Sequence, residues 1–548
     1  MIKNPILPGA HGDPSIVRDG DDFYLITSTF EWFPGILLYH SRDLQNWELI
    51  DCVLKTKEYL DLTGIKPSLG VWAPCLSFDP SERRFYLMYS NVHSRNKFFF
   101  DVDNYLIWTD DIRGGKWSKP IYINSSGFDP SLFHDDDGRK WIVNKDRDFR
   151  PQNVDKRAII VQEFDFSQNK LIGEPIVISR GATERRFVEG PHIFKHKGYY
   201  YLITAEGGTG YAHCVALSRS SNVTGPYEPY PHNPIITSNP NNIIGTEQVP
   251  FMLPEHYNPD VTLQKAGHGA LVETQSSEWY MVHHCGRPIM PQKRCVLGRE
   301  TAIQKMEWTP DGWLRMADGS NIAKPSTPKP NLPVASRPPA DLFCDFDEPS
   351  ISLHFNTPRN EITPEWADIS SRKGYLRLRG QESLTSNYYV SLLARRLTAF
   401  KARVTTLLDF HPGHYRHAAG LTCYYDTESH YAVFKTYDEV QDTDIISIYG
   451  YINSELIETD VQVNVPKGAQ VYLRAEIDHA ELQFSYSLDN LNYQKIGQVL
   501  DMSALSDEAS KCGTFTGAFI GMYAQDTHTK SKWADFDWFN YEPLDPED

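Results

Sequence analysis

The feature that most limits what this chain can fold into is a hairpin signature that returns five times. The copies are DPSIVRDGDDFYLITST from Asp13, WAPCLSFDPSERRFYLMYSN from Trp72, DPSLFHDDDGRKWIVNK from Asp129, EGPHIFKHKGYYYLITAEG from Glu189 and GHGALVETQSSEWYMVHHCG from Gly267. Each reads as a short strand, a polar turn and an aromatic-rich strand. Their starts are 59, 57, 60 and 78 residues apart, so the last interval carries an insertion. A second strand pair follows each copy, as in GILLYHSRDLQNWELI after the first and GRETAIQKMEWTPDGWLRM after the fifth. Two hairpins make a four-stranded blade, and five blades make a β-propeller.

The texture changes near residue 324, where KPSTPKPNLPVASRPPADLF carries six prolines, a density that no central strand accommodates. Beyond Asp341, alternating runs such as KGYLRLRG, KARVTTLLDF and LQFSYSLD suggest the short antiparallel strands of a sandwich. The expected organisation is all-β: a five-bladed propeller over 1–323, a Pro-rich linker over 324–340 and a β-sandwich over 341–548.

Charge and cysteine usage narrow the function classes. A formal net charge of -17 argues against nucleic acid and against an anionic membrane surface, both of which recruit basic proteins. A neutral ligand suits such a surface, and an aromatic share of 13% supplies flat faces for sheet packing and for stacking on sugar rings. The opening MIKNPILPGAHGDPS has no apolar run after its single Lys, and the eight Cys show no CxxC spacing. Neither a secretory signal nor a metal or disulfide framework is expected, which points to a cytoplasmic protein with free thiols.

Three blades open their innermost strand with an acid, Asp13, Asp129 and Glu189, and blade symmetry brings such positions together at one end of the axis. Carboxylates in a shared pocket drive one another's pKa upward. Glycoside hydrolysis uses this inventory, one carboxylate to deprotonate water and one protonated acid for the leaving oxygen. Asp13 suits the base, Glu189 the acid, and Asp129 a group that tunes the acid. A single Asp-Pro-Ser is an ordinary turn, but three acids at matching repeat positions are not explained by turns. Phe30 in TSTFEWFPG and Trp72 in VWAP offer faces for a pyranose or for blade packing. Arg287 in HCGRP, just past the fifth inner hairpin, offers either a clamp for hydroxyls or a surface ion pair. His268 in AGHG should face the central channel as a structural residue, a water ligand or a metal site. TAEGGTG (204–210) looks like a phosphate cradle but lacks the strand-to-helix setting one needs.

Taken together, NPILPGAHGDPSI, STFEWFPG, GVWAP, SSGFDPSLFHDDDGRK, VEGPHIFK, KAGHGALVET and CGRP, in this order, resemble glycoside hydrolase family 43, and GTFTGAFIGMYAQDT extends the likeness almost to the end. The nearest pattern is that of its two-domain bacterial β-xylosidases. The resemblance implies a propeller followed by a concanavalin-like sandwich that closes the pocket. It implies inversion at the anomeric carbon, with Asp13 as base, Asp129 as pKa modulator and Glu189 as general acid. It also implies that Phe30, Trp72 and Arg287 line the terminal-sugar subsite. By the same likeness Phe519 or Phe515 of the sandwich closes it, and His268 lies where some relatives hold Ca2+ through water. Two motifs depart from the family: Gly12 precedes the base where proline is usual, and Cys75 follows Trp72-Ala73-Pro74 where aspartate is usual.

The implied activity is release of single xylose units from the non-reducing end of β-1,4-xylo-oligosaccharides, without a cofactor, by a homodimer or homotetramer. The alternatives are an α-L-arabinofuranosidase or dual enzyme, which would use the same carboxylates, and a sugar-binding propeller without catalysis, which would have no use for all three acids.

Overall fold

The computed structural model describes residues 1–96, 99–150, 152–153, 157–245, 254–336, 338, 340–457, 461–512 and 514–544. The five repeats form five antiparallel sheets in chain order. Blade 1 runs Ser15–Asp19, Asp22–Thr27, Gly35–Ser41 and Glu48–Leu54. Blades 2, 3, 4 and 5 begin on Gly70–Asp79, Gly127–His134, Glu189–His196 and Gln264–Glu273, each followed outward by its partners in sequence order. Alternation along these strands buries both faces against neighbouring blades, as in Asp22–Thr27, whose last five residues are all buried. The long fourth interval holds the extra strand Ile236–Thr237, which pairs with Cys214–Ser220, and the turn Pro254–His256. Residues 246–253 of that interval lie outside the described residues.

The ring is tied shut by its two ends. Ile2–Lys3 pairs with Ser326–Thr327, and the Ile6 amide donates to Thr301 O at 2.8 Å on the third strand of blade 5. The proline-rich segment is fastened along the propeller: Tyr280 OH donates to Pro328 O at 3.0 Å, and the Ala335 amide to Asp43 Oδ2 at 2.9 Å. Residues 337 and 339 of that segment lie outside the described residues.

Beyond it, two sheets face each other. One is ordered Ala367–Asp368, Leu376–Arg379, Trp533–Pro543, Lys401–Asp409, Val471–Asp478, Glu481–Ser487, Gln494–Asp501. The other is built around Ser391–Arg396, Phe519–Asp526, His417–Asp426, Ser429–Asp438 and Thr443–Ile452. Val404, Leu473, Phe484, Leu421, Val433 and Met522 fill the space between them. Burial of each such side chain contributes roughly 1.5–3 kcal/mol.

The sandwich is joined to the propeller by backbone as well as by side chains. Thr357–Pro358 pairs antiparallel with Trp32–Phe33 of blade 1. At Gly298 (φ +74°), an added Cβ would sit 1.8 Å from Thr516 O, so only glycine permits this approach of the two domains.

Candidate active site

The five innermost strands share one local device. Asp13, Ala73, Asp129, Gly190 and His268 have φ of 54°, 35°, 55°, 55° and 51°. In the four later blades the strand pairing shifts register across this position, between Trp72 and Cys75, Phe128 and Ser131, Glu189 and His192, and Gly267 and Ala270. Four of the five precede proline, where the backbone ordinarily extends, so the conformation is costly and held by its surroundings. The bulge turns the side chains at that position and at the one before it into the mouth of the axis. Asp13, Asp129 and His268 occupy the bulge itself. Trp72, Phe128 and Glu189 occupy the preceding position, and all six line one open-mouthed cavity of about 620 Å³. The expected equivalence of three acids is therefore corrected: Asp13 and Asp129 match, whereas Gly190 takes their place in blade 4 and Glu189 stands one residue earlier.

Asp13, 6% exposed, is surrounded by donors. Arg299 reaches it with Nη1 2.9 Å from Oδ1 and Nη2 3.2 Å from Oδ2. Ser28 Oγ donates to Oδ2 at 2.8 Å, and His284 Nδ1 and His268 Nδ1 stand 3.3 and 3.5 Å from Oδ1. Burial pushes this carboxyl up, but Arg299, His284 and His268 outweigh it and hold it well below the usual carboxylate range. Asp129, 7% exposed, has the Gly190 amide at 2.9 Å on Oδ2. Burial first, then the charges of Glu189 and Asp13, push it well above that range. Neighbouring carboxylates disfavour one another's ionisation, so of this pair Asp129 is pushed toward its protonated form while Asp13 is held toward its charged one. Glu189 opens its strand paired with Ala205 and is only partly buried.

Aromatic rings form the remaining wall. Trp72 meets Phe128 edge to face at 5.6 Å and Phe515 at 5.3 Å, and its Nε1 donates to Ser68 O at 2.9 Å. Phe30 stacks on Phe515 at 6.0 Å. The second and third strands of blade 2, Arg84–Asn96 and Phe99–Thr109, bring Arg95 and Phe100 to the mouth, where the Arg147 guanidinium lies 4.0 Å from the Phe100 ring. Gly208 and Thr209 of the TAEGGTG segment complete the lining.

Two expected contacts are corrected. Arg287 does not line the cavity: it forks onto the buried Glu300, Nε to Oε2 at 2.7 Å and Nη2 to Oε1 at 2.8 Å, and lies 5.0 Å from the Phe400 ring of the sandwich. Arg299, immediately before the strand Glu300–Trp308, turns the other way and reaches Asp13 instead. Phe519 is stacked on Trp32 at 3.6 Å beneath the domain contact, and Phe515 takes the closing position. The signal for Arg299 was present in its place at the start of the third strand of blade 5. Gly12 also has its reason here, since an added Cβ would press on the Arg299 guanidinium at 3.2 Å.

His268 lines the cavity, with His192, His213 and His284 in the shaft behind it. Ca2+ takes six to eight oxygen ligands, and this shaft presents imidazoles and a guanidinium. The described residues include no group of three His, Cys, Asp or Glu side chains able to hold a metal, so the shaft does not fit directly bound calcium. Cys75, at the departure from the family motif, faces His192 with Sγ 3.7 Å from Nδ1.

Comparison with known proteins identifies this arrangement. The profile described as Glycosyl hydrolases family 43 matches residues 2–314, and that described as Beta xylosidase C-terminal Concanavalin A-like domain matches 344–542. A xylosidase/arabinosidase 43B of Humicola insolens is 41% identical, over 99% of this chain and 98% of its own. A xylan 1,3-β-xylosidase of a Vibrio species is also 41% identical, over 98% and 99%. The crystal structure of a xylan β-1,4-xylosidase from Bacillus halodurans C-125 superposes with a TM-score of 0.93 at 44% identity, covering 99% of this chain and all of that one. With both domains matched and relatives aligned end to end, the chain belongs to the glycosyl hydrolases of family 43.

Proposed function

We propose that this protein is an exo-acting, inverting β-xylosidase that releases xylose from the non-reducing end of β-1,4-xylo-oligosaccharides. The observation that carries the reading is the division of charge among three carboxyls, with Asp13 kept ionised by Arg299 and Asp129 pushed toward its protonated form beside Glu189. In the proposed reaction Asp13 takes a proton from water as the water oxygen bonds to the anomeric carbon. The glycosidic bond breaks, and Glu189 gives its proton to the departing oxygen. Asp129 keeps a proton available to Glu189, Phe30 and Trp72 hold the sugar face, and His268 and Arg299 border the same space. Closure by Phe515 favours single-sugar release over internal cleavage of xylan. The chemistry uses carboxylates alone and needs no cofactor.

A second activity is supported by a relative named a non-reducing end α-L-arabinofuranosidase, 31% identical over 99% of this chain. Initial rates on paired aryl β-xyloside and α-arabinofuranoside, with β-1,3- and β-1,4-xylobiose alongside, distinguish these readings. Proton NMR taken before mutarotation should show α-xylose first, and initial β-xylose would overturn inversion.

We also read the protein as a cytoplasmic homo-oligomer, dimer or tetramer. The eight cysteines are unpaired, and the outer strand Lys170–Ser179 of blade 3 exposes Ile172, Ile176 and Val177. Exposed apolar edges of this kind are ordinarily covered. Light scattering on the purified protein tests the assembly.

A further inference from the structure

Behind Asp13 stands a pair of histidines that the proposed reaction does not use. His284 and His213 are fully buried, the first on the second strand of blade 5 and the second just before the third strand of blade 4. His284 Nδ1 faces Asp13 Oδ1 at 3.3 Å, and His284 Nε2 faces His213 Nδ1 at 2.6 Å. The far nitrogen, His213 Nε2, has no hydrogen-bond partner among the described residues. The arrangement has been given room: an added Cβ on Gly267 would lie 2.4–2.5 Å from the His213 ring.

The geometry selects one set of protons. Each neutral imidazole carries a single N–H. If His284 donated from Nε2 to His213, its bare Nδ1 would point a lone pair at a carboxylate. The opposite orientation gives every close contact a donor: His213 Nδ1–H to His284 Nε2, and His284 Nδ1–H to Asp13 Oδ1. It leaves only His213 Nε2 bare, the nitrogen that lacks a partner. Burial keeps both rings neutral, pushing His284 down to about 3 and His213 well below its usual value. The charged and titratable groups facing the pair are Asp13, Arg299 and His268. Asp13 itself faces Arg299, His268 and His284, and Asp129 feels its charge.

We propose that His213 and His284 form a two-imidazole relay that presents a fixed N–H to Asp13 Oδ1, orienting the carboxylate and keeping it ionised for its work as base. His284 and His213 are positioning residues, since they act through Asp13, and the proposal rests on the reading of Asp13 as the base.

Two substitutions at one position separate the relay from mere filling of space. In His284→Asn the amide N–H falls near the place of Nδ1 and retains the donor to Asp13. In His284→Gln the amide falls near Nε2 and loses that donor. A donor to a carboxylate favours its charged form, so its loss raises the pKa. The acidic limb of kcat/KM on an aryl β-xyloside should move up by about one pH unit in His284→Gln and stay in place in His284→Asn. If His284→Gln does not fold, His213→Gln against His213→Asn makes the same comparison one ring further from the cavity. Histidine nitrogen NMR of the full wild-type chain should show both rings neutral with the proton on Nδ1. A proton on Nε2 of either ring, or equal limb shifts in the Asn and Gln variants, overturns the relay. The expected tautomers with an unmoved limb in both variants overturn instead the assignment of Asp13 as the base that the relay serves.

Discussion

Arg299→Met is the substitution that most directly tests how this pocket divides charge. Methionine keeps much of the stem volume and removes a guanidinium that is 2% exposed and forks onto Asp13 at 2.9 and 3.2 Å. Removing one partner of a buried ion pair costs about 3–5 kcal/mol. One pKa unit corresponds to about 1.4 kcal/mol, so the Asp13 carboxyl should rise by roughly two to four units. Burial then governs it, opposed by the histidines and the Ser28 hydroxyl. Asp129 shows the result of such burial without a guanidinium, a carboxyl pushed well above its usual range. In the native protein Asp13 is depressed, so its contribution to stability is present above the unfolded value of about 3.9 and is lost as pH falls through the folded value. In Arg299→Met that depression is largely removed, so the stability Asp13 contributes above the unfolded value should be missing from the variant, and the deficit should shrink as pH falls below that value. The acidic limb of kcat/KM should move up by roughly two units or more, and the melting temperature should lie further below that of the native protein at pH 6 than at pH 3. Aryl β-xyloside kinetics across pH and thermal melts at those two values measure both. An acidic limb and a melting profile that match the native protein would refute the claim that Arg299 sets the charge of Asp13.

Glu189→Ala should lose most activity on xylobiose and far less on an aryl xyloside whose leaving group departs without protonation; equal losses would remove Glu189 from the role of acid. Arg287→Met should lower stability by about 3 kcal/mol, because Glu300 remains buried, while KM on xylobiose stays near the native value; denaturant melts and kinetics separate the two effects. Phe515→Ala should cost about 3 kcal/mol of stability through lost packing and raise KM several-fold, and an unchanged KM would show that the sandwich does not shape the sugar site.

The propeller was legible because its signal repeats: an aromatic-rich hairpin at four nearly equal intervals can be read without knowing how blades meet. The carboxylates were legible for the same reason, although the eye aligned Glu189 with Asp13 and Asp129. The backbone instead aligns the residue before proline, which places Gly190 there. Arg287 and Arg299 could not be told apart from local sequence, since both lie in blade 5 and each pairs with a buried acid. Which arginine meets which acid depends on which way the chain turns Arg299 and Glu300, and on Phe400 and Phe515 arriving from a distant part of the chain. The same distance concealed Phe515 against Phe519, four residues apart in one glycine-rich stretch. The long second hairpin that brings Arg95 and Phe100 to the mouth left no mark in the repeat, because extra strand length preserves the pattern.

Phe515 carries a consequence for how the enzyme comes into being. A ribosome delivers the five blades first, and domains generally fold as they emerge. Yet the ring that closes the cavity, and the carbonyl that accepts from Arg299 at 3.2 Å, belong to a residue made well after the last blade. Until then the cavity lacks that wall. Hydrolytic competence is thereby timed to synthesis of the sandwich, and a product terminated before Phe515 should hold sugar poorly and cleave it slowly even where every catalytic acid is already in place.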